Sequence, residues 1–127
     1  MNNAEEFESL CWVEASLKNI KYENNCLSFT MTDLISYKPK PIYEYVEIVI
    51  QNIKGLNISL VPFINGEYVK EEYFRIGNLN YPDYLGFEGR IETNPFTDQE
   101  SDYFWITADF EAANICIKRT GRKLSLD

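Results

Sequence analysis

Residues 22–32 read YENNCLSFTMT and contain both signals that decide the fold. Leu27, Phe29 and Met31 alternate with small polar residues, which is the period-two pattern of a strand with one buried face. The pair Asn24-Asn25 precedes this run, and Asn tolerates the positive φ of a tight turn. The stretch therefore predicts a turn followed by the second strand of a β-hairpin.

The same alternation recurs along the chain, with turn-forming residues between the runs. Such a rhythm predicts a mainly β domain of about seven or eight antiparallel strands, either a sandwich or a partly open barrel. The apolar positions of these further runs are Val46, Ile48 and Ile50; Leu85, Phe87 and Ile91; Phe104, Ile106 and Ala108; Ile115 and Ile117; and, within residues 11–17, Val13, Ala15 and Leu17.

Two segments bear on helix content. Residues 4–10 predict one short N-terminal helix, since Asn3 is a suitable N-cap and acidic residues occupy the first turn. Asn65-Gly66 is a strong hairpin signal between apolar runs. Residues 66–75 also fit a helix that carries Val69 and Tyr73, so strand and helix both stay open there.

Composition sets the class of protein. The chain has 127 residues, 45% hydrophobic and 25% charged, which predicts a single domain spanning 1–127. The net charge of −8 disfavours nucleic-acid and membrane-surface binding and favours basic protein partners. The N-terminus lacks the pattern of a secretory signal, and we expect a cytoplasmic protein with reduced cysteines. The three cysteines, Cys11, Cys26 and Cys116, are expected to be small buried hydrophobes.

Catalytic apparatus is not recognisable in the sequence. The chain contains no His, which removes the usual general base and the commonest transition-metal ligand. We therefore expect no enzyme activity, no cofactor and no metal. An acid/base carboxylate pair stays a weak alternative, either Glu88 with Glu92 or Asp109 with Glu111. Residues 98–102 carry oxygen ligands but lack the glycine and distal Glu of an EF-hand loop.

Charge is concentrated in one part of the chain. Between Glu67 and Glu111 there are eleven acidic residues and three basic ones, whereas basic residues cluster at 118–123. Tyr and Trp residues lie among these acids, a composition that favours a protein-binding hot spot. Packing of the same aromatic side chains across strands is an equally open interpretation. The candidate partner-binding residues are Glu88, Glu92, Asp98, Glu100, Asp102, Tyr103 and Trp105.

The strand layout resembles that of a known group of proteins. The residues that carry the resemblance are Trp12-Val13-Glu14-Ala15-Ser16-Leu17, Tyr22 and Leu27-Ser28-Phe29, then Val46–Ile50 and Ile53-Lys54-Gly55-Leu56. They resemble small acidic bacterial immunity proteins of polymorphic toxin systems, which bind and neutralise a toxin encoded beside them. Many of those families begin with a His-Asp pair near the first strand, and this chain has no His. The resemblance implies a non-catalytic, β-rich protein.

The leading hypothesis is therefore a protein-binding domain that neutralises a basic toxin through an acidic, Tyr-rich face. The alternative is a β-barrel or sandwich that binds a small ligand in an aromatic-lined mouth. A carboxylate-based enzyme is the third. An unpaired edge strand also makes a homodimer a reasonable expectation.

Overall fold

Residues 3–37, 39–79, 84–92 and 103–125 are described by a computed structural model. Helix α1 spans Ala4–Ser9 and a 3-10 helix spans Trp12–Glu14. The strands that follow are β1 (Ser16–Glu23), β2 (Cys26–Ser36), β3 (Ile42–Ile64), β4 (Glu67–Tyr68), β5 (Glu72–Gly77), β6 (Leu85–Ile91) and β7 (Tyr103–Ser125).

Five strands close into a ring. Their order is β2-β1-β6-β7-β3, and β2 also pairs with β3. Among the described residues, every pairing is antiparallel except that of β1 with β6, which is parallel and covers Ser16↔Arg90 and Leu17↔Ile91. Gly89 permits this junction, because a methyl group there would lie 3.0 Å from Cγ of Leu17. The predicted class, mainly β with a partly open barrel among its forms, is confirmed.

Strands β3 and β7 are each 23 residues long and pair with one another along most of that length. Register shifts between Glu44 and Val46 and between Ile53 and Gly55 let the pair bend. The first half of β3 therefore lies beside β2, and its second half lies beside β5 and β4.

Both predicted hairpin turns are present. Asn24 and Asn25 have φ of 54° and 59°, and Asn65 and Gly66 have φ of 53° and 82°. Residues 67–68 and 72–77 form strands, so the helix alternative for residues 66–75 is wrong. The long β3 supplies both returning strands with a partner, which a free helix would lack.

The core is built from the predicted alternation. Leu27, Phe29 and Met31 are buried, as are the inward residues of β3 and the first half of β7. Helix α1 covers one opening of the ring by inserting Phe7, whose ring centroid lies 4.8 Å from that of Trp12 and 5.4 Å from that of Phe110. Within the described residues, no helix has the length and apolar character that crossing a membrane requires.

Three local predictions need correction. Residues 12–14 form a 3-10 helix rather than a strand, so Trp12 is buried and Val13 is 72% exposed. The cysteines are not buried: Cys116 is exposed, and the other two are only half-buried. Asn3 precedes α1, but its side chain makes no capping hydrogen bond and donates to the carbonyl of Ile115.

Candidate functional site

Neighbouring strand segments present one continuous outward surface. It consists of the outward-facing residues of β6, the first half of β7, the second half of β3, β4, and β5 with the preceding Glu71, and we call it the outer face. Cross-strand register aligns its residues in rows, because directly paired residues project from the same side of a sheet. One row is Glu88–Thr107–Ser59–Tyr73, and the next is Gly86–Asp109–Asn57–Arg75.

An aromatic triad occupies one end of the outer face. Phe63 pairs in register with Tyr103 on one side and Tyr68 on the other. The rings of Phe63 and Tyr103 stack at 4.6 Å and 21°, and Tyr68 meets Phe63 edge-on at 5.0 Å. The hydroxyl oxygens of Tyr68 and Tyr103 are 3.3 Å apart, and Tyr68 remains 57% exposed. The triad is thus a pre-ordered aromatic surface.

Arg90 links the triad to the charged part of the outer face. Its guanidinium carbon lies 4.2 Å from the centroid of the Tyr103 ring, a cation–π contact. The same group forms an ion pair with Glu92 at 3.5 Å. Arg90 is also the cross-strand partner of Trp105, which is half-buried. Three residue types common at interface hot spots, Arg, Tyr and Trp, are therefore adjacent.

Glu71 is the shared hydrogen-bond acceptor on the opposite side of the outer face. Its carboxylate accepts hydrogen bonds from the hydroxyls of Ser59 and Tyr73. The bond from Ser59, followed by that from Tyr73, lowers the pKa of Glu71 below its ordinary value. Glu71 therefore remains ionised into the acid range and contributes fixed negative charge to the surface.

The predicted site residues are only partly brought together among the described residues. Glu88, Tyr103 and Trp105 share the outer face, and Glu92 contacts it through Arg90. Asp98, Glu100 and Asp102 lie outside the described residues. Described acidic residues on this surface are Glu71, Glu88, Glu92, Asp109 and Glu111, and described basic ones are Arg75 and Arg90.

The basic cluster near the C-terminus is largely engaged within the fold. Arg119 contacts Asp33 at 3.1 Å and Glu44 at 2.9 Å. Lys118 lies 3.8 Å from Glu47 across the β3–β7 pair. These partners offset much of the positive charge of the basic cluster at residues 118–123.

An open cleft of about 440 Å³ adjoins the outer face beside the β1–β6 junction. Its lining includes Val13, Lys18, Tyr43, Arg90 and Trp105. Burial, and then the nearby carboxylate of Glu14, raises the pKa of Tyr43, so its hydroxyl stays protonated and can donate at neutral pH. The described residues contain no group of His, Cys, Asp and Glu side chains arranged to hold a metal ion.

Two important residues were missed by the sequence interpretation. Phe63 alternates in phase with Val61 and Ser59 on the outward side, but its apolar character resembles that of the core positions beside it. Arg90 is one of the three basic residues among the acids between Glu67 and Glu111. The strand phase indicates that both residues face outward, since Arg90 shares the phase of Glu88 on β6 and Phe63 that of Ser59 on β3. It does not indicate which strands become their neighbours.

Comparison with known proteins adds no relative. No protein-family model, curated protein or solved structure matches the chain. Function is therefore inferred from the chemistry of the outer face itself.

Proposed function

We propose that this chain is a non-catalytic domain that binds a basic protein through the outer face, most concretely a toxin that it neutralises. The observation that carries the proposal is the aromatic triad of Phe63, Tyr68 and Tyr103. These side chains are held in place by mutual ring contacts while Tyr68 stays exposed. Pre-ordered aromatics lose little side-chain entropy on binding, which favours their use as anchors.

The composition around the triad supports a protein partner. Tyr, Trp and Arg are the residues most enriched among interface hot spots. Here Tyr103, Trp105 and Arg90 are adjacent on two paired strands. Binding would bury the exposed ring of Tyr68 and complete the desolvation of its neighbours.

Charge supports a basic partner in particular. Glu71, Glu88 and Asp109 extend along the outer face, and the whole chain carries −8. A field of this sign accelerates encounter with a positively charged protein and repels acidic ones. Neutralisation of a toxin needs rapid and tight association, and an anchor surface within an acidic field provides both features.

An affinity capture from native lysate tests this function. The bait proteins are the wild-type chain, Tyr68→Ala, and the matched control Tyr37→Ala, which alters a tyrosine of similar exposure (65%) next to β2. Capture is run at low and high salt, and retained proteins are identified by mass spectrometry. We expect one basic protein that wild type and Tyr37→Ala retain, that Tyr68→Ala loses, and that high salt weakens.

The toxin assignment has its own readout. The captured protein is expressed alone and together with the chain, and cell growth is followed. Growth arrest that co-expression relieves supports neutralisation. Equal capture by all three baits contradicts binding through the aromatic triad. A captured protein that is harmless when expressed alone contradicts the toxin assignment.

Small-ligand binding is the second candidate, and the open cleft favours it. A volume of about 440 Å³ is within the range of ligand pockets, and Trp105 and Tyr43 would offer ring surfaces. The interior of the ring is less suitable, since the described core is filled by packed rings such as Phe7, Phe29 and Phe87. Native mass spectrometry of the purified chain tests this candidate, which requires a co-purifying small molecule that Trp105→Ala loses.

A further inference from the structure

Two exposed cations meet at one tyrosine side chain outside the outer face. The ring centroid of Tyr45, on β3, lies 5.6 Å from Nζ of Lys18 on β1 and 5.2 Å from the guanidinium carbon of Arg122 on β7. The two positive charges are therefore no further apart than the sum of these distances, although like charges repel. We call these three residues the Tyr45 patch.

A β-bulge places Arg122 in the Tyr45 patch. Three residues of β7, 120–122, lie opposite Tyr45 alone, where the register of β3 with β7 shifts. Gly121 has a φ of 75°, a backbone conformation that glycine adopts without strain. The Thr120 hydroxyl donates to the carbonyl of Tyr45 and accepts from the amide of Arg122. The backbone of Arg122 is therefore held beside Tyr45 by hydrogen bonds within the bulge.

The two cations of the Tyr45 patch have no ion-pair partner within the part of the chain that the structure describes. Carboxylates on the neighbouring strands are engaged with other cations. Glu47 shares a cross-strand row with Lys18 but pairs with Lys118 at 3.8 Å. Glu44 contacts Arg119 at 2.9 Å. An external anion would therefore reduce the repulsion between the two cations without displacing an internal partner.

The open cleft beside the β1–β6 junction adjoins the Tyr45 patch, because Lys18 belongs to both. Two carboxylates line this cleft, and each has a partner. Glu92 pairs with Arg90, and Glu14 accepts a hydrogen bond from the hydroxyl of Tyr43. A ligand whose anionic group is held at Lys18 therefore has an adjoining space of about 440 Å³ for the rest of its structure.

We propose that the Tyr45 patch binds the phosphate group of a small phosphate monoester, and that the organic part of this ligand lies in the adjoining cleft. At neutral pH a phosphate monoester carries nearly two negative charges, which match the two cations. The planar guanidinium of Arg122 suits bidentate contact with phosphate oxygens, and the flexible stem of Lys18 brings a point charge to the same anion. The placement of the organic part rests on the small-ligand candidate described above, whereas the phosphate site does not.

Titration of the purified chain with inorganic phosphate, followed by NMR at neutral pH and constant ionic strength, tests the phosphate site. We expect saturable shifts of the Gly121 and Arg122 amide resonances, with a dissociation constant of about 1 mM or below. Lys18→Gln and Arg122→Gln should each raise that constant at least about threefold, because each removes one of the two cations. Lys21→Gln is the matched control. It removes an exposed cation of β1 that pairs with Glu23, and it should leave the constant unchanged.

A second titration, with 1-naphthyl phosphate, tests where the organic part lies. We expect this ester to bind at least about threefold more tightly than inorganic phosphate, because its rings bury apolar surface in the cleft. It should also shift the resonances of Val13 and Trp105, which line the cleft and which inorganic phosphate should leave in place. Equal constants for the two probes, with these resonances unmoved, overturn the placement of the organic part.

Two results overturn the phosphate site itself. One is a wild-type chain whose resonances shift linearly up to about 20 mM phosphate, which would exclude millimolar affinity. The other is equal weakening by Lys18→Gln and Lys21→Gln, which would reflect net charge alone. The spectrum of each variant without phosphate establishes that the variant is folded. Because no protein partner is present, failure here is separate from failure of the proposed binding to a basic protein.

Discussion

The guanidinium group of Arg119 lies 3.1 Å from a carboxylate oxygen of Asp33, a side chain that is only 8% exposed. Glu44, on the strand between them, contacts the same nitrogen and also accepts a hydrogen bond from the amide of Gly121. The other oxygen of Asp33 accepts from the amide of Cys11. Arg119 thus connects β2, β3 and β7 where β7 bulges, and it compensates two largely buried carboxylates.

Replacing Arg119 with Met should destabilise the fold. The change leaves Asp33 and Glu44 without their cation, and we expect the free energy of unfolding to fall by about 1–3 kcal/mol, limited by the 41% exposure of Arg119. Lys118→Met is the matched control, because Lys118 is 78% exposed and should cost less than about 0.5 kcal/mol. Urea denaturation measures both. Equal losses for the two variants would contradict the role given to Arg119.

The close approach of Gly55 on β3 to the backbone of Asn78, just after β5, gives a second prediction. A methyl group at Gly55 would overlap the carbonyl oxygen of Asn78. Gly55→Ala should therefore lower the free energy of unfolding by about 1–3 kcal/mol, as overpacked sites do. Gly66→Asn is the control, since Gly66 has open space around it, a φ of 82°, and a turn position that Asn tolerates. Thermal denaturation with a larger loss for Gly66→Asn would be inconsistent with this packing.

The hydrogen bonds to Glu71 give a prediction in pH. They lower its pKa, so the stability that they provide is present above the ordinary Glu pKa and is lost as pH falls through the lower, folded-state pKa. Ser59→Ala removes the largest cause and should raise the pKa of Glu71 in an NMR titration. The control Thr107→Ala, which alters the cross-strand partner of Ser59, should leave the pKa of Glu71 unchanged. An unshifted titration in Ser59→Ala would show that the bond does not form in solution.

Much of the fold follows from local pattern. The alternation at Leu27, Phe29 and Met31 and the turns at Asn24-Asn25 and Asn65-Gly66 were sufficient to predict strands, buried faces and hairpins. Trp12 shows where local pattern fails. Its burial depends on contacts with Phe7 and Phe87, which are set by the packing of α1 on the ring, and a strand phase over residues 11–17 cannot represent them.

The local sequence pattern also could not predict that the strands close into a ring or which residues meet at the site. The parallel junction of β1 with β6 joins segments about 70 residues apart. It is favoured by glycine at position 89, because a side chain there would crowd Leu17. The sequence predicts Tyr103 and Trp105 as partner-binding residues together with Glu88, and the three do share a face. The contributions of Phe63 and Arg90 depend on which strands become neighbours, which the sequence pattern does not specify.

The association rate constant between the chain and the basic protein that it captures tests the central claim most directly. Stopped-flow or surface measurements at low and high ionic strength would compare wild type, the outer-face variant Glu88→Lys with Asp109→Lys, and the control Glu5→Lys with Glu6→Lys on α1, which has the same charge change. Binding through the outer face predicts association at least about tenfold slower at low salt for the outer-face variant alone, with the difference shrinking at high salt. Equal rates for the two variants would contradict the outer face as the binding surface.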